Sequence, residues 1–253
     1  MKYVGIDIGS TASKVVTKGE VQTHFVLPTG WSSKETTGEI KERLKAWDVD
    51  VCAEDTKVVA TGYGRVAVDF ADYTITEITC HGRGGREIAG TDCAIIDVGG
   101  QDTKIIILEN GTVSDFLMND KCSAGTGKFI EIMANRLGMT IEELFDMAAG
   151  GKILPISSLC TVFAESEVIN YIGEGRQRED IAAGVIDSVV SKVAQLSQRK
   201  TLPDRVILTG GLSQSVYFTK ALSAKIGKKV ETTDFGRYAG ALGAALLAEE
   251  KNK

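Results

Sequence analysis

The sequence has little proline, no closely spaced pair of cysteines and no long apolar run. Only 3 of its 253 residues are Pro, whereas 28 are Gly, which is typical of a chain with many tight turns and few rigid linkers. No apolar run approaches the roughly 18 residues that a membrane-spanning helix requires. No run of five Lys or Arg residues occurs, and the net charge is −5, which argues against a nucleic-acid-binding surface. We therefore expect neither a membrane nor a nucleic-acid partner.

The first residues also lack the pattern of a secretory signal. The stretch from Met1 to Asp7 reaches a carboxylate too early for the apolar core of a signal peptide, and we expect a cytoplasmic protein. Thiols stay reduced in that compartment, so the five cysteines favour reduced, metal-binding or redox thiols over disulfides. With 43% hydrophobic and 25% charged residues, the chain is long enough for one large domain or two small lobes.

What the sequence does contain is an internal repeat. The stretch from Asp7 to Lys14 (DIGSTASK) aligns with the stretch from Asp97 to Lys104 (DVGGQDTK). An aspartate, a glycine, a hydroxyl residue and a lysine recur at equivalent places, and two β-branched residues follow each copy. The repeat predicts two similar lobes, each with a hairpin that ends a strand in a glycine turn.

The repeat has a chemical interpretation. A strand-end aspartate can hold a hydrated Mg²⁺, and glycine lets the backbone approach a phosphate without a Cβ clash. Two such turns could grip a triphosphate from both sides. The alternative, that Asp-x-Gly is a plain turn, is hard to sustain for two matched copies. The predicted phosphate contacts are Gly9, Ser10, Thr11, Ser13 and Lys14 in the first turn and Gly99, Gly100, Asp102 and Thr103 in the second.

Strand–glycine–helix segments fill the rest of the chain. Helices are predicted over 35–47, 126–137, 141–148, 162–172 and 178–200, a hairpin turn at Asn110–Gly111, a strand at 205–211 and a small-residue helix at 238–245. The stretch from Thr74 to His81 alternates like a strand before the glycine-rich 82–85. We expect His81 to be a turn residue bonded to backbone rather than a metal ligand. This order of segments predicts a nucleotide cleft in an α/β fold.

Cys122 and Cys160 each stand just before a predicted helix. Helix N-termini carry partial positive charge and spare N–H donors, which stabilise a thiolate. A [4Fe–4S] cluster takes four thiolates, and one chain shows no convincing set of four. Two cysteines from each of two chains at a symmetry axis would supply them. On the residues alone, buried core thiols or catalytic thiols remain alternatives. For Cys52, Cys80 and Cys93 the core interpretation is favoured.

The two Asp-Gly hairpins, Thr209-Gly210-Gly211 and Gly240-x-x-Gly243 together resemble the two-lobed α/β ATPase fold of acetate kinase, sugar kinases, Hsp70 and actin, a duplicated ribonuclease H-like fold. Four more stretches resemble the ATP-dependent activators of 2-hydroxyacyl-CoA dehydratases, relatives of the ATPase subunits of benzoyl-CoA reductase. These stretches are TGYGR at 61–65, EITCH at 77–81, DVGGQD at 97–102 and CSAGTG at 122–127.

The resemblance implies lobes at 1–90 and 91–253, with the last helix able to pack on the first lobe. It also implies a homodimer with one [4Fe–4S] cluster held by Cys122 and Cys160 of both chains. ATP or ADP would bind with Mg²⁺ near Asp7 and Asp97, and Gln101 would orient the attacking water. Further nucleotide contacts are expected from Gly125, Gly127, Gly210, Gly211, Ser213, Gln214, Gly240 and Gly243.

The implied activity is ATP-driven transfer of one low-potential electron to a partner enzyme that bears its own iron–sulfur cluster, either a dehydratase or a reductase. A ferredoxin or flavodoxin is the expected electron donor. Two other functions stay open: a small-molecule kinase of the same fold without a cluster, and an actin-like scaffold that forms polymers. The residues name neither the acceptor nor the donor.

Overall fold

The computed structural model describes residues 1–156 and 160–252, which form two mixed sheets and their flanking helices. The chain divides into two compact units. The first unit comprises Met1–Ile95, Ile106–Phe116 and Thr233–Lys253, and the second comprises Ile96–Ile105 and Leu117–Thr232. These units are defined by packing, whereas each predicted lobe, 1–90 or 91–253, is a continuous stretch that contains one nucleotide turn. The predicted lobes remain a prediction.

Each sheet has five strands. The strands are β1 (Lys2–Ile8), β2 (Ala12–Gly19), β3 (Thr23–Pro28), β4 (Thr56–Thr61), β5 (Tyr73–Thr74), β6 (Ala94–Val98), β7 (Thr103–Glu109), β8 (Thr112–Asn119), β9 (Val206–Gly210) and β10 (Val230–Glu231). The first sheet has the order β3-β2-β1-β4-β5 and the second the order β10-β9-β6-β7-β8. The α/β class predicted from the order of strands, glycine turns and helices is confirmed.

Eight helices accompany the sheets. They are α1 (Ser33–Lys45), α2 (Glu77–Ala89), α3 (Gly127–Leu137), α4 (Ile141–Ala148), α5 (Thr161–Gly173), α6 (Arg178–Ser197), α7 (Val216–Ile226) and α8 (Ala239–Lys251) among the described residues, with three short 3₁₀ turns besides. Within residues 1–156 and 160–252, no helix combines the length and the apolar character needed to cross a bilayer.

The predicted hairpins β1–β2 and β7–β8 are present, and β6 and β7, which flank the turn in the second copy of the repeat, are neighbours in the second sheet. Strands β1 and β2 pair antiparallel with Asp7 opposite Lys14, and β4 runs parallel to β1 with Thr61 beside Asp7. The turn between β7 and β8 contains Asn110 at φ 52° and Gly111 at φ 79°. These two positive φ angles are the ones that the Asn-Gly dipeptide supplies at low cost in a type I′ turn. Local turn chemistry therefore sets the register of the β7–β8 hairpin.

Helix α2 is the main difference from the predicted elements. The strand-like interpretation of Thr74 to His81 is wrong, because a helix begins at Glu77 with the Thr76 hydroxyl accepting from the Thr79 N–H. Glycine inside α2 allows this helix to pack closely against α8. A Cβ on Gly84 would collide with the Ala239 carbonyl of α8, and one on Gly243 of α8 would collide with the Cys80 carbonyl. The two backbones approach closely because neither carries a side chain there.

The helices predicted over 126–137 and 141–148 are present as α3 and α4. Helix α3 begins after Thr126 and ends at Gly138, which adopts the left-handed conformation. Helix α4 has the complete capping box between Thr140 and Glu143. The Thr126 hydroxyl does not cap α3 but donates to the Ser123 carbonyl at 2.7 Å, so it stabilises the loop that contains Cys122.

Candidate functional site

The first turn, residues 9–13, joins β1 to β2 and is held from inside the first unit. The Thr29 hydroxyl donates to the Gly9 carbonyl at 2.7 Å and lies 2.8 Å from the Ser13 hydroxyl. Ser13 is fully buried, whereas Ser10 and Thr11 are exposed. The hydroxyl of Ser13 thus shapes the turn, and contact of the exposed Ser10 and Thr11 with a phosphate remains a prediction.

Asp7, the last residue but one of β1, lies in a space that Gly62 and Gly240 leave open. A Cβ on Gly240 would lie 2.7 Å from both Asp7 Oδ2 and His81 Nε2, and one on Gly62 would collide with Asp7 Oδ1. His81 Nε2 lies 3.9 Å from Asp7 Oδ2 and 3.7 Å from Glu77 Oε1. The interpretation of His81 as a turn residue is wrong: it is a buried helical residue beside the first aspartate. The i, i+4 spacing of Glu77 and His81 was the signal for a helix.

The second turn, residues 99–103, has a different charge arrangement. Asp97 is buried and accepts a hydrogen bond from the Thr209 hydroxyl at 2.7 Å. The Lys104 ammonium group, also buried, lies 2.8 Å from Asp102 Oδ1 and 3.5 Å from Asp97 Oδ2. Gln101 is exposed at the tip of the turn, where its amide can reach a bound water or ligand.

The second turn is bonded directly to the segment that contains Cys122. The first N–H groups of α3, on Gly127 and Lys128, donate to the carbonyls of Gly99 and Gly100 at 2.9 and 2.8 Å. The buried Thr103 hydroxyl donates to the Gly125 carbonyl at 2.7 Å. Helix N-terminal N–H groups are normally without an intrahelical partner, and here the turn satisfies two of them. A displacement of this turn is therefore transmitted to residues 125–128.

The segments containing Cys122 and Cys160 touch each other. The residue after each cysteine contributes to a hydroxyl pair, Ser123 Oγ to Thr161 Oγ1, at 2.7 Å. Cys122 is half-buried, and Cys160 is exposed at the N-cap of α5. The Asn119 amide donates to the Cys122 and Ala124 carbonyls at 2.9 and 3.2 Å. The structure thus brings both predicted ligands into one region of the second unit.

The other three cysteines differ in burial. Cys80 and Cys93 are buried, as the core interpretation predicts, whereas the same interpretation of Cys52 is wrong, because Cys52 is exposed. Burial raises the pKa of the Cys80 thiol from its ordinary value of 9.0 to about 12, so this group stays a neutral thiol at physiological pH. Ser157 and Ser158, whose hydroxyls precede Cys160 in the sequence, lie outside the described residues.

Further predicted contacts lie at the end of β9 and in α8. Gly210 adopts φ +83°, and a Cβ there would collide with the Val98 carbonyl. The Ser213 hydroxyl donates to the Gly210 carbonyl at 2.7 Å, whereas Gly211 and Gln214 are exposed. Gly240 and Gly243 face Asp7 and α2 within the first unit. Their packing is evident, and their contact with a nucleotide remains a prediction.

Comparison with known proteins identifies the family. The model of the BadF/BadG/BcrA/BcrD ATPase family matches residues 4–248. The chain belongs to this ATPase family. The "(R)-2-hydroxyglutaryl-CoA dehydratase activating ATPase" of Acidaminococcus fermentans is 41% identical over 254 aligned residues, covering 98% of this chain and 97% of that protein. The "2-hydroxyisocaproyl-CoA dehydratase activator" of Clostridioides difficile is 40% identical, covering 100% and 97%.

Solved structures agree with the family. The crystal structure of component A of the A. fermentans dehydratase superposes with a TM-score of 0.93 at 39% identity over the whole of both chains. The activator of the 2-hydroxyisocaproyl-CoA dehydratase from Clostridium difficile, with bound ADPNP, gives a TM-score of 0.91 at 37% identity, covering 100% of this chain and 97% of that one. A sugar kinase of the ROK family from Streptomyces griseus, at 15% identity and TM-score 0.62 over 99% and 100%, shares the fold alone. The predicted sugar-kinase-like fold is confirmed.

Proposed function

We propose that this ATPase is a reductive activator. It binds Mg–ATP at the two turns, shares one [4Fe–4S] cluster between two copies of the chain, and passes one low-potential electron to a 2-hydroxyacyl-CoA dehydratase or a related reductase with its own cluster. The observation that carries the proposal is the set of three hydrogen bonds between the second turn and residues 125–128, next to Cys122. These bonds would connect a nucleotide at the second turn to the segment that contains the predicted cluster ligand Cys122.

The donor chemistry of Cys122 and Cys160 fits a cluster. Both are outside the core, their neighbours Ser123 and Thr161 are hydrogen bonded, and Cys160 stands at the N-terminus of α5, whose partial positive charge favours an anionic cluster. Two chains supply the four thiolates that the cluster takes, and when bound it supplies a one-electron carrier. Cys80 does not fit this role, because its raised pKa keeps it protonated.

An apolar surface beside Cys160 supports the homodimer. Helix α5, which begins directly after this cysteine, exposes four large apolar side chains: Val162, Phe163, Ile169 and Ile172. Exposed apolar groups concentrated on one helix are characteristic of an interaction surface. A second copy packed on α5 would cover these groups and, by two-fold symmetry, bring two more thiolates to the same place.

The turn residues have distinct proposed roles in ATP hydrolysis. Asp7 and Asp97 hold the hydrated Mg²⁺, and the backbone and hydroxyl groups of the two turns contact the phosphates. The exposed Gln101 amide orients the attacking water. If Gln101→Ala hydrolysed ATP at the wild-type rate, the role of Gln101 would be wrong. Loss of the terminal phosphate relaxes the second turn, and residues 125–128 follow it.

The acceptor and donor are proposed by class. The relatives at 38–41% identity are named for 2-hydroxyglutaryl-CoA, 2-hydroxyisocaproyl-CoA and lactoyl-CoA dehydratases, so a dehydratase of this type is the first acceptor to test. A ferredoxin or flavodoxin would reduce the activator, and the reactions would take place in the cytoplasm.

Anaerobic purification with quantification of iron and acid-labile sulfide tests the cluster. We expect about four irons per dimer by the four-thiolate rule, lost in Cys122→Ser and in Cys160→Ser. The matched control is Cys52→Ser, because Cys52 is also exposed and its replacement should leave the iron content unchanged.

The outcomes separate the functions. Iron that survives both single replacements would contradict the assignment of the ligands. Iron-free protein that still hydrolyses ATP under strict anaerobiosis would remove the activator function and favour the small-molecule kinase, which predicts a phosphorylated product.

A further inference from the structure

Three large apolar side chains on two loops of the first unit are almost fully exposed. Trp31, just before α1, is 89% exposed, and Tyr63 and Val66, just after β4, are each 84% exposed. The loops are neighbours, because a Cβ built on Gly64 would lie 2.8 Å from the Ser33 hydroxyl oxygen. We name Trp31, Tyr63 and Val66 the docking patch. Burying groups of this size from water on association is strongly favourable, and Trp and Tyr are the residues most often dominant in interfaces.

A groove continues the docking patch. It has a volume of about 500 Å³, and Val66, Ala67, Phe70, Lys34, Lys41 and Asp69 are among its lining residues. Lys41 donates to Cys52 Sγ at 3.6 Å and lies 5.7 Å from the Phe70 ring centre. Within the described residues, neither Lys34 nor Lys41 lies within ion-pair distance of a carboxylate. The charged residues that line the groove are two lysines, Lys34 and Lys41, and one aspartate, Asp69. The groove is therefore locally basic, although the net charge of the chain is −5.

Both loops are bonded to the end of β1 and the first turn. Thr29, two residues before Trp31, donates through its N–H to the Thr11 carbonyl at 3.0 Å and through its hydroxyl to the Gly9 carbonyl at 2.7 Å. The Gly64 N–H donates to the Ile8 carbonyl at 2.9 Å. The patch is therefore attached on both sides to backbone that flanks the proposed phosphate site, so a shift of the first turn would reach it.

We propose that the docking patch and its groove bind the electron-accepting enzyme, through a surface that presents an apolar side chain surrounded by carboxylates. The inference rests on the proposed function and adds to it a contact outside the cysteine region. The charge favours an acidic protein surface, and the attachment to the first turn makes docking dependent on the nucleotide. A second copy is the less suitable occupant, because α5 already offers it an apolar face next to the shared cysteines.

The test measures activation as a function of activator concentration. The probes are three purified dehydratases, acting on 2-hydroxyglutaryl-CoA, 2-hydroxyisocaproyl-CoA and lactoyl-CoA, assayed anaerobically with ATP and excess reductant. For the dehydratase that the wild type activates, we expect the double variant Trp31→Ser/Tyr63→Ser to need at least about tenfold more activator for half-maximal activation. Its iron content, ATPase activity without dehydratase and maximal activation should stay at the wild-type level.

The charge component is tested separately. Lys34→Glu/Lys41→Glu should raise the half-maximal concentration several-fold at low salt and less at high salt, since exposed charge interactions are screened. The matched controls are Val216→Ser, whose side chain is 65% exposed on α7, and the exposed Lys220→Glu on the same helix. Both should stay within about twofold of the wild type, as is usual for replacements outside an interface core.

Each of the other outcomes contradicts either the docking inference or the proposed function. Half-maximal concentrations equal to wild type in both double variants would overturn the docking patch and leave the proposed function intact. A change in dimer mass by light scattering in the Trp31→Ser/Tyr63→Ser variant would assign the patch to the second copy instead. Activation of none of the three dehydratases by the wild type would overturn the proposed function, and the docking inference with it.

Discussion

The two turns of the internal repeat have similar sequences but are attached to different parts of the molecule. The first, residues 9–13, is held by Thr29 and adjoins the loops of Trp31 and Tyr63. The second, residues 99–103, is held by the start of α3 and by Gly125, next to Cys122. If the proposed function holds, one turn connects the nucleotide to the proposed docking surface, and the other connects it to the proposed cluster ligands. The two copies of the repeat therefore share a sequence pattern and differ in their attachments.

The repeat lysines give the largest expected contrast. Lys104 is buried between Asp97 and Asp102, whereas the equivalent Lys14 is half-buried. Lys104→Met would leave two carboxylates without their cation and should lower the free energy of unfolding by about 3–5 kcal/mol. Lys14→Met should cost at most about 1 kcal/mol. Anaerobic urea unfolding of both variants measures the difference, and equal losses would mean that the two turns do not differ in this way.

A matched pair of variants removes one threonine hydroxyl that holds each turn. Thr29→Val removes bonds to Gly9 and Ser13, and Thr103→Val removes the bond to Gly125. Each leaves a buried acceptor unsatisfied, which costs about 1–3 kcal/mol, and both should weaken ATP binding about tenfold. Only Thr103→Val should also speed the loss of iron. Thr29→Ser and Thr103→Ser, which keep the hydroxyls, are the controls, and iron loss of equal rate in both Val variants would contradict the account.

A third prediction concerns the Ser123–Thr161 hydroxyl pair. In a double-mutant cycle of Ser123→Ala and Thr161→Val, the coupling between the two side chains should be about 1 kcal/mol, a typical net value for one hydrogen bond. Iron should dissociate about fivefold faster from each single variant. Ser166→Ala is the control, because among residues 1–156 and 160–252 the Ser166 hydroxyl bonds only the Val162 carbonyl in its own helix. Additive effects would show that the pair does not align the cysteines.

Much of this architecture was predictable from local signals. The repeat predicted the hairpins of its two copies, Asn110–Gly111 predicted the β7–β8 turn, and the helical patterns over 126–137 and 141–148 predicted α3 and α4 to within a residue. These features depend on neighbours in sequence, where turn and cap preferences act. The motif around Cys122 also pointed to the family that the comparisons establish.

Helix α2 was not predictable in the same way. Glycines disfavour a helix in isolation. In α2 a glycine is required because the backbone of α8 packs directly against it. The position of His81 beside Asp7 depends on the same packing. The attachment of the second turn to residues 125–128 is likewise a tertiary property, since no pattern in the sequence specifies which N–H groups satisfy the carbonyls of Gly99 and Gly100.

The smallest predicted effect concerns pH and a thiol of the first unit. The folded pKa of Cys80 is about 12 and its ordinary value is 9.0, so between these values the unfolded chain loses a proton that the folded chain keeps. The unfolded state then binds fewer protons, and stability falls as pH rises through this window. Between about pH 8 and pH 10, wild type should lose about 1 kcal/mol more than Cys80→Ala, measured by urea unfolding. Cys52→Ala should behave like wild type, and identical slopes in all three proteins would contradict the buried neutral thiol.

The central claim is that the nucleotide at the second turn controls the environment of Cys122 and Cys160. Its most direct test is the rate at which a ferrous chelator removes iron from the anaerobic protein. The account predicts a rate that differs several-fold between saturating ADP and a non-hydrolysable ATP analogue, and a difference that shrinks in Thr103→Val. Equal rates with both nucleotides, in wild-type protein shown by calorimetry to bind each of them, would contradict it.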